Sequence, residues 1–252
     1  MANPDFNYAG PELELFRDAH HWKKYYGRCI RDFLGHSVLE VGAGLGGTTN
    51  FLCRDDHQSW VCLEPDKGLC DQILRRIEQS ELPGFCSAVN GSLKDISRDQ
   101  LFDTVLYIDV LEHIQEDREE LQQAAALVCS GGHLVVLAPA HNWLFSDFDE
   151  AIGHYRRYSA TTLREISPAG TEVVLERYLD SCGTCLSLLN RLLLRQSIPS
   201  KRAIKLWDKV FVPLSTVVDR LLRYKFGKTI VMAWRKPQVH VEHPDFIDNK
   251  TT

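Results

Sequence analysis

The chain has 252 residues, of which 44% are hydrophobic and 25% charged, and its formal net charge is −5. These values are typical of globular proteins and exclude a disordered, collagen-like or coiled-coil chain. The acidic balance argues against a nucleic-acid-binding protein, so no nucleic-acid partner is expected. The N-terminal residues lack the basic and apolar regions of a secretory signal, which favours a cytoplasmic protein with eight reduced cysteines.

The first element expected in chain order is a helix from Glu12 to Phe33, within an N-terminal helical cap over residues 1–36. Short apolar runs then alternate with helical patterns, as in βαβ units of a mainly parallel sheet. The predicted strands are Ser37–Val41, Trp60–Glu64, Phe85–Val89, Phe102–Asp109, His133–Ala138, Glu172–Arg177 and Thr229–Arg235. The helices predicted between them are Thr48–Arg54, Asp66–Gln79 and Glu112–Val128. Right-handed crossovers would bring the carboxyl ends of the strands to one edge, where α/β sheets bind ligands.

A helical insertion is expected over residues 179–228, between the sixth and seventh strands, with helices at Leu186–Gln196 and Ala203–Tyr224. Its second helix carries an apolar stripe of Ile204, Trp207, Phe211, Leu214, Val218 and Leu221. Pro213 should kink that helix or begin a new one. Between Cys185 and Lys228 the insertion holds ten basic residues against two acidic ones.

Two interpretations of this insertion stay open. The stripe could pack on its own domain, or the segment Lys201–Tyr224 could lie on an anionic membrane, at its inner face. The core domain would then comprise residues 37–178 and 229–238, followed by a flexible polar tail at 239–252.

A glycine-rich loop at residues 42–47 follows the first strand. Its glycines fit both the G-x-G-x-x-G pattern of dinucleotide-binding proteins and the G-x-G-x-G pattern of proteins that bind S-adenosylmethionine (SAM). A tight strand-to-helix turn without a ligand is a further interpretation. Glu40, just before the loop, would repel a pyrophosphate but attract the cationic amino-acid and sulfonium groups of SAM. Glu64 ends the second strand, where it can accept hydrogen bonds from ribose hydroxyls.

Four stretches in this order are similar to the class I SAM-dependent methyltransferases over about residues 20–180. They are Val38–Gly46, Leu63–Asp66, Phe102–His113 and Gly131–Pro139. The resemblance implies a Rossmann-like, doubly wound α/β sheet of seven strands, mainly parallel with the last antiparallel. It implies SAM as cofactor, with contacts from Glu40, Gly42, Ala43, Gly44, Gly46, Glu64, Pro65, Ser92, Leu93, Asp109 and Val110. Ser92 stands where the family often has the acid that contacts the adenine.

A closer resemblance covers Ser146–Ser159, which is similar to a stretch of small, mostly bacterial methyltransferases of type 11/12 with a basic helical insertion. The loop Pro139–Ser159 follows the fifth strand on the ligand edge and supplies the candidate substrate residues His154, Tyr155, Arg156 and Arg157. The paired arginines could grip an anionic acceptor, or could pair with the acidic residues of the same loop.

His113 and His141 are the candidate catalytic bases, against the alternative that each is satisfied by a backbone partner. No metal site is expected, because the Cys182 and Cys185 pair lacks a second pair of ligands. The favoured function is methyl transfer from SAM to a small-molecule acceptor of anionic or lipid-like character. An NAD-dependent oxidoreductase and a non-catalytic SAM-binding scaffold are the alternatives.

Overall fold

The computed structural model describes residues 12–189 and 200–238. The predicted tail at 239–252, and the end of the predicted helix Leu186–Gln196, lie outside the described residues.

A seven-stranded sheet forms the centre of the molecule, in the order β3-β2-β1-β4-β5-β7-β6. Its strands are β1 Ser37–Val41, β2 Ser59–Glu64, β3 Cys86–Asn90, β4 Phe102–Ile108, β5 Val128–Pro139, β6 Glu172–Leu179 and β7 Thr229–Arg235. All pairings among β1 to β5 are parallel, whereas β7 runs antiparallel to both β5 and β6. The predicted sheet is therefore confirmed, including the antiparallel last strand.

The central strands are apolar on both faces because helices cover both faces of the sheet. Successive side chains alternate between two buried clusters: Leu39 and Tyr107 belong to one, and Val38 and Trp60 to the other. This two-sided burial explains why the strands appear in the sequence as short continuous apolar runs.

The N-terminal cap differs from the single predicted helix. It consists of α1 Glu12–Phe16, α2 His20–Ile30 and a 3₁₀ turn at Arg31–Phe33. The break has a tertiary cause, because the carboxylate of Asp208, from the insertion, accepts hydrogen bonds from the backbone N–H groups of His21 and Trp22 at 3.3 and 2.9 Å. These are two of the donors that the start of a helix leaves without an internal partner.

The helices of the central region are α3 Thr49–Leu52, α4 Lys67–Glu78, α5 Asp117–Ala126, α6 Asp147–Ala151 and α7 Ala160–Glu165. The predicted helix Glu112–Val128 is wrong at its start, because Leu111–His113 is a separate 3₁₀ turn and α5 begins only at Asp117. Strand β5 begins at Val128, before the predicted start at His133, and passes through the glycine pair at 131–132.

The insertion begins with α8 Ser181–Leu189 and continues, after the undescribed residues, with α9 Lys201–Leu206, a π-helical turn at Trp207–Phe211 and α10 Val212–Leu221. These last three form one continuous helix. Pro213 has no N–H group to donate to the preceding turn, and the wider π turn lies directly before it. None of the helices in the described ranges is both long and apolar enough to cross a membrane.

The predicted apolar stripe is divided between two sides of this helix. Ile204 and Trp207 are buried against the rest of the domain, whereas the side chains of Leu214 and Leu221 are 50% and 77% exposed. The extra residue in the π turn shifts the helical register between the two halves, so a stripe counted in regular turns does not stay on one face.

Candidate active site

A cavity of about 1030 Å³ opens at the carboxyl edge of the sheet, beside the ends of β1 and β4. Its walls come from α2, the glycine-rich loop, the segments after β4 and β5, and the inserted helices. This is the edge at which the sequence analysis placed the ligand. Of the predicted cofactor residues, Gly42, Ala43, Gly44 and Asp109 line it.

The glycine-rich loop depends on backbone conformations that side chains rarely adopt. Gly42 has a φ of +66°, and a Cβ atom there would lie 2.6 Å from a methyl group of Val110. Gly44 has a φ of +57° and borders the cavity. Only glycine combines these dihedral angles with a close approach of the backbone to a neighbour or a ligand.

Glu64 holds this loop from the end of β2. Its two carboxylate oxygens accept hydrogen bonds from the backbone N–H groups of Gly44, at 2.7 Å, and Asp66, at 2.9 Å. The side chain is buried and does not line the cavity, and burial raises the pKa of its carboxyl group. Glu64 therefore organises the loop. Its other role, as the acceptor of hydrogen bonds from the ribose hydroxyls, stays a prediction.

Glu40 lies beneath the loop and is also buried. One carboxylate oxygen accepts hydrogen bonds from Thr49 Oγ1 at 2.6 Å and from Trp60 Nε1 at 2.8 Å. Burial raises the pKa of Glu40 to about 7, although these hydrogen bonds favour the charged form. Glu40 does not border the cavity, so any effect on SAM would act through the field of its charge.

Asp109 follows β4 in a left-handed conformation with a φ of +54° and does line the cavity. Burial raises its pKa to about 7, against the opposing effect of the nearby cations of Lys228 and Arg157. Asp109 is therefore able to exchange a proton near neutral pH.

The remaining predicted cofactor residues lie outside the cavity lining. Ser92 begins a 3₁₀ turn, and its hydroxyl and backbone N–H groups both donate to Asp95. Leu93 is buried in the core beside it, and Gly46 faces the side chain of Arg76. The adenine contact inferred for Ser92, and the contacts inferred for Pro65 and Leu93, stay predictions.

On the acceptor side, Asp149 of α6 is the central group and is fully buried. It accepts two hydrogen bonds from Arg157, at 2.8 and 2.9 Å, and one from the His154 ring at 2.9 Å. Burial alone would raise the pKa of Asp149, but the hydrogen bonds from His154 and Arg157 outweigh it and hold the pKa well below its usual range.

The two arginines are thus engaged in ion pairs rather than presented to a ligand. Arg157 lines the cavity but is paired with Asp149, as the alternative interpretation expected. Arg156 pairs with Asp117 of α5 at 2.6 Å, outside the cavity lining. Tyr155 is 55% exposed and also lies away from the cavity lining. These positions do not favour recognition of an anionic acceptor by the arginine pair.

The two candidate bases occupy different surroundings. His113 lines the cavity, and burial, reinforced by the neighbouring His154, lowers its pKa to about 4. His141 does not line the cavity, and its ring stacks on Tyr178 at 4.9 Å and also lies against Trp143 and Phe226. That aromatic position is at odds with the base role predicted for His141.

Sequence reasoning missed several residues that line the cavity: Lys23, Tyr26, Glu112, Asp149, Trp207 and Lys228. Lys23 and Tyr26 arrive on α2, and Trp207 arrives on the insertion, from positions far away in the chain. Lys228 Nζ lies 3.8 Å from Asp180 Oδ2 and 4.6 Å from the centre of the Trp207 ring. For Glu112 the sequence offered one signal of a site position, namely that it is adjacent to the predicted site residue His113.

Comparison with known proteins finds a matching family model and one curated relative. A family model described as a methyltransferase domain matches residues 39–134. Norajmaline N-methyltransferase of Rauvolfia serpentina is 25% identical over 107 residues, which cover 42% of this chain and 36% of that protein. The match thus spans little more than a third of the curated relative.

Solved structures share the fold at low sequence identity. The N-methyltransferase NodS of Bradyrhizobium japonicum, in complex with S-adenosylhomocysteine (SAH), has a TM-score of 0.55 and 14% identity, with 91% of this chain and 90% of that chain covered. Phosphoethanolamine N-methyltransferase 2 of Haemonchus contortus, with phosphomonomethylethanolamine and SAH, has a TM-score of 0.58 and 15% identity, with 90% and 58% covered.

Proposed function

We propose that this chain, as a member of the class I SAM-dependent methyltransferases, transfers the methyl group of SAM to a large and mainly apolar small-molecule acceptor. One observation carries the proposal: the cavity of about 1030 Å³ joins the glycine-rich loop to an apolar wall made by the inserted helices. Ligand pockets commonly measure about 300–1,000 Å³, so this volume has room for an acceptor beside the cofactor.

The residues around the loop fit SAM. Gly44 lets a ligand meet the backbone, and Glu64 keeps the loop N–H in place. Lys23 lines the same cavity and offers a cation for the carboxylate of the amino-acid part of SAM. SAM supplies a methyl group on a sulfonium centre, so the protein's task is to align the two reactants and exclude water.

The apolar wall favours the lipid-like over the anionic acceptor. It is formed by Leu186, Ile204, Leu206, Trp207 and Phe211. The guanidinium group of Arg157 is already paired with Asp149, which leaves it poorly suited to bind an acceptor anion. Asp109 and His113 line the same cavity, and we infer that the methyl-accepting atom lies beside them.

The outer side of the insertion supports a second, separate proposal, namely contact with an anionic lipid surface. Val210, Leu214, Val217 and Leu221 are each at least half exposed on the helix Lys201–Leu221. Exposed basic side chains lie along the same helix at Lys201, Arg202, Lys205, Lys209 and Arg220. Apolar side chains beside basic ones suit the boundary between lipid headgroups and acyl chains.

SAH binding, measured by calorimetry, tests the cofactor assignment. Gly44→Val should abolish binding, because it fills the space where the ligand meets the backbone. Gly170→Val is the matched control, since Gly170 also has a positive φ but has open space around its Cβ position and lies away from the cavity lining. Unchanged SAH affinity in folded Gly44→Val protein would contradict the assignment, and binding of NADH instead would favour an oxidoreductase.

The acceptor class is tested by incubating cell extract with labelled SAM and separating organic-soluble from aqueous products. We expect label in the organic-soluble fraction. The amount of this label should fall in Ile204→Ser, which alters the buried wall, and should be unchanged in the control Val173→Ser on β6. Label confined to the aqueous fraction would contradict an apolar acceptor. SAH binding without any labelled product would favour a non-catalytic scaffold.

A further inference from the structure

Three side chains with metal-ligating atoms meet in the cavity wall: Glu112, His113 and His154. One donor atom from each lies within 4.8 Å of the other two. Glu112 Oε1 is 3.8 Å from His154 Nε2, and the two imidazole rings are edge to face with centres 4.6 Å apart. All three residues line the cavity, so a group bound between them would face it.

Glu112 has an unusual environment for a carboxyl group. Its side chain is fully buried, and neither carboxylate oxygen accepts a hydrogen bond from any other residue within 12–189 and 200–238. The 3.8 Å separation from His154 is too long for a hydrogen bond. Buried carboxyl groups are normally supplied with donors, because desolvation without a partner is costly. Both oxygens are therefore available to a cation.

The neighbours of the two histidines already hold these rings in place. The Nδ1 atom of His154 is 2.9 Å from Asp149 Oδ1, which leaves Nε2 directed to Glu112. Asp149 is itself fixed by Arg157 and by the backbone N–H of Ser146. The ring of His113 forms a hydrogen bond with the backbone of Gly153. A carboxylate or carbonyl behind each imidazole is the arrangement that orients metal-bound histidines.

We propose that Glu112, His113 and His154 bind a divalent transition-metal ion. Two imidazoles and one carboxylate suit Zn²⁺, Mn²⁺ or Fe²⁺, whereas Mg²⁺ prefers oxygen ligands alone. The ligand atoms are up to 4.8 Å apart, so an ion with bonds of about 2.1 Å would draw them together by small side-chain rotations. Three protein ligands leave coordination positions open to the cavity, where the ion can hold an acceptor oxygen or nitrogen and lower its pKa.

The metal site itself does not depend on methyl transfer and is tested by metal binding, whereas the role of the ion at the acceptor rests on the proposed function. Protein stripped with a chelator is titrated with Zn²⁺, Co²⁺ and Mg²⁺, and bound metal is counted by elemental mass spectrometry. We expect one equivalent of Zn²⁺ or Co²⁺, retained in excess Mg²⁺. The absorption spectrum of bound Co²⁺ should lack the charge-transfer band of cysteine ligands, because no thiol belongs to the cluster.

Glu112→Gln, which keeps the side-chain shape, and His154→Gln should each weaken binding at least 10-fold. His20→Gln, which removes an exposed histidine outside the cluster, should leave binding unchanged. No bound equivalent in the wild type, or equal affinity in the wild type and a folded cluster variant, would overturn the proposal. SAH binding is measured on the same samples. Because metal binding and SAH binding can each be lost without the other, this measurement keeps the metal result separate from the cofactor assignment.

Discussion

Two buried glutamates next to the glycine-rich loop illustrate what single residues do in this protein. Glu64 accepts from two backbone N–H groups and so fixes the path of the loop. Glu40 accepts from side chains of α3 and β2, and its pKa is raised to about 7. Both were identified from the sequence by their position at the ends of strands, but their hydrogen-bond partners were not.

The raised pKa of Glu40 predicts a pH-dependent cost to stability. The usual value of 4.5 applies in the unfolded chain, so between about pH 4.5 and 7 the folded state keeps a proton that the unfolded state has released. The free energy of unfolding therefore falls as pH rises through this window, by on the order of 3 kcal/mol for this group.

Chemical denaturation of the wild type and Glu40→Gln at several pH values measures this cost. The difference in unfolding free energy between the two proteins should shift in favour of the variant from pH 5 to pH 8, because glutamine carries no proton to lose. Contributions from the other titrating groups are common to both proteins and cancel. A constant difference across this range would contradict the raised pKa.

At the scale of elements, the insertion and the N-terminal cap stabilise each other. Asp208 of the π turn accepts from the start of α2, and Asp219 of α10 accepts from Tyr25 Oη at 2.7 Å and from the start of α8. These two residues are the only acids in the basic segment between Cys185 and Lys228, and both are buried. Their role is structural, which leaves the exposed surface of the described insertion strongly basic.

Asp208→Ala should destabilise the protein by about 1–3 kcal/mol, because two backbone N–H groups of α2 lose their acceptor. Asp18→Ala is the matched control: Asp18 also precedes α2 but is exposed, so its loss removes only a weak electrostatic effect. Denaturant unfolding measures the change, and limited proteolysis should cleave the region of α1 and α2 faster in Asp208→Ala. Equal stabilities of the two variants would count against this capping role.

At the scale of the whole molecule, the insertion has two sides with different surroundings. One side closes the cavity with Ile204 and Trp207, and the other exposes Leu214 and Leu221. From the sequence, domain packing and membrane contact are alternatives for one stripe. The structure divides that stripe, so the inner half packs on the domain and the outer half is exposed.

Co-sedimentation with liposomes tests the lipid proposal. The wild type should bind anionic liposomes at low salt and dissociate from them at high salt, because salt screens the attraction between the basic side chains and the lipid headgroups. Val217→Ser with Leu221→Ser should reduce binding, whereas Val173→Ser with Val174→Ser, on exposed positions of β6, should not. Equal recovery in the supernatant with anionic and neutral lipids at low salt would end the proposal.

The sequence by itself determined the positions of the strands along the chain, the glycine turn and the edge of the sheet at which the cavity opens. Each of these follows from local patterns: apolar runs form strands, and glycine alone tolerates the positive φ of Gly42 and Gly44. The family resemblance added the seven-stranded arrangement with its antiparallel last strand. Two predicted residues that follow β4, Asp109 and His113, accordingly line the cavity.

Only the tertiary structure decided which of these side chains act together. Arg156 pairs with Asp117, Glu112 meets His154, and Asp208 caps α2, all between residues distant in the chain. No local pattern encodes such pairs, because each depends on how separate elements pack. The same holds for the division of the helix Lys201–Leu221 into a buried and an exposed side, since a single π turn changes the register that sequence spacing assumes.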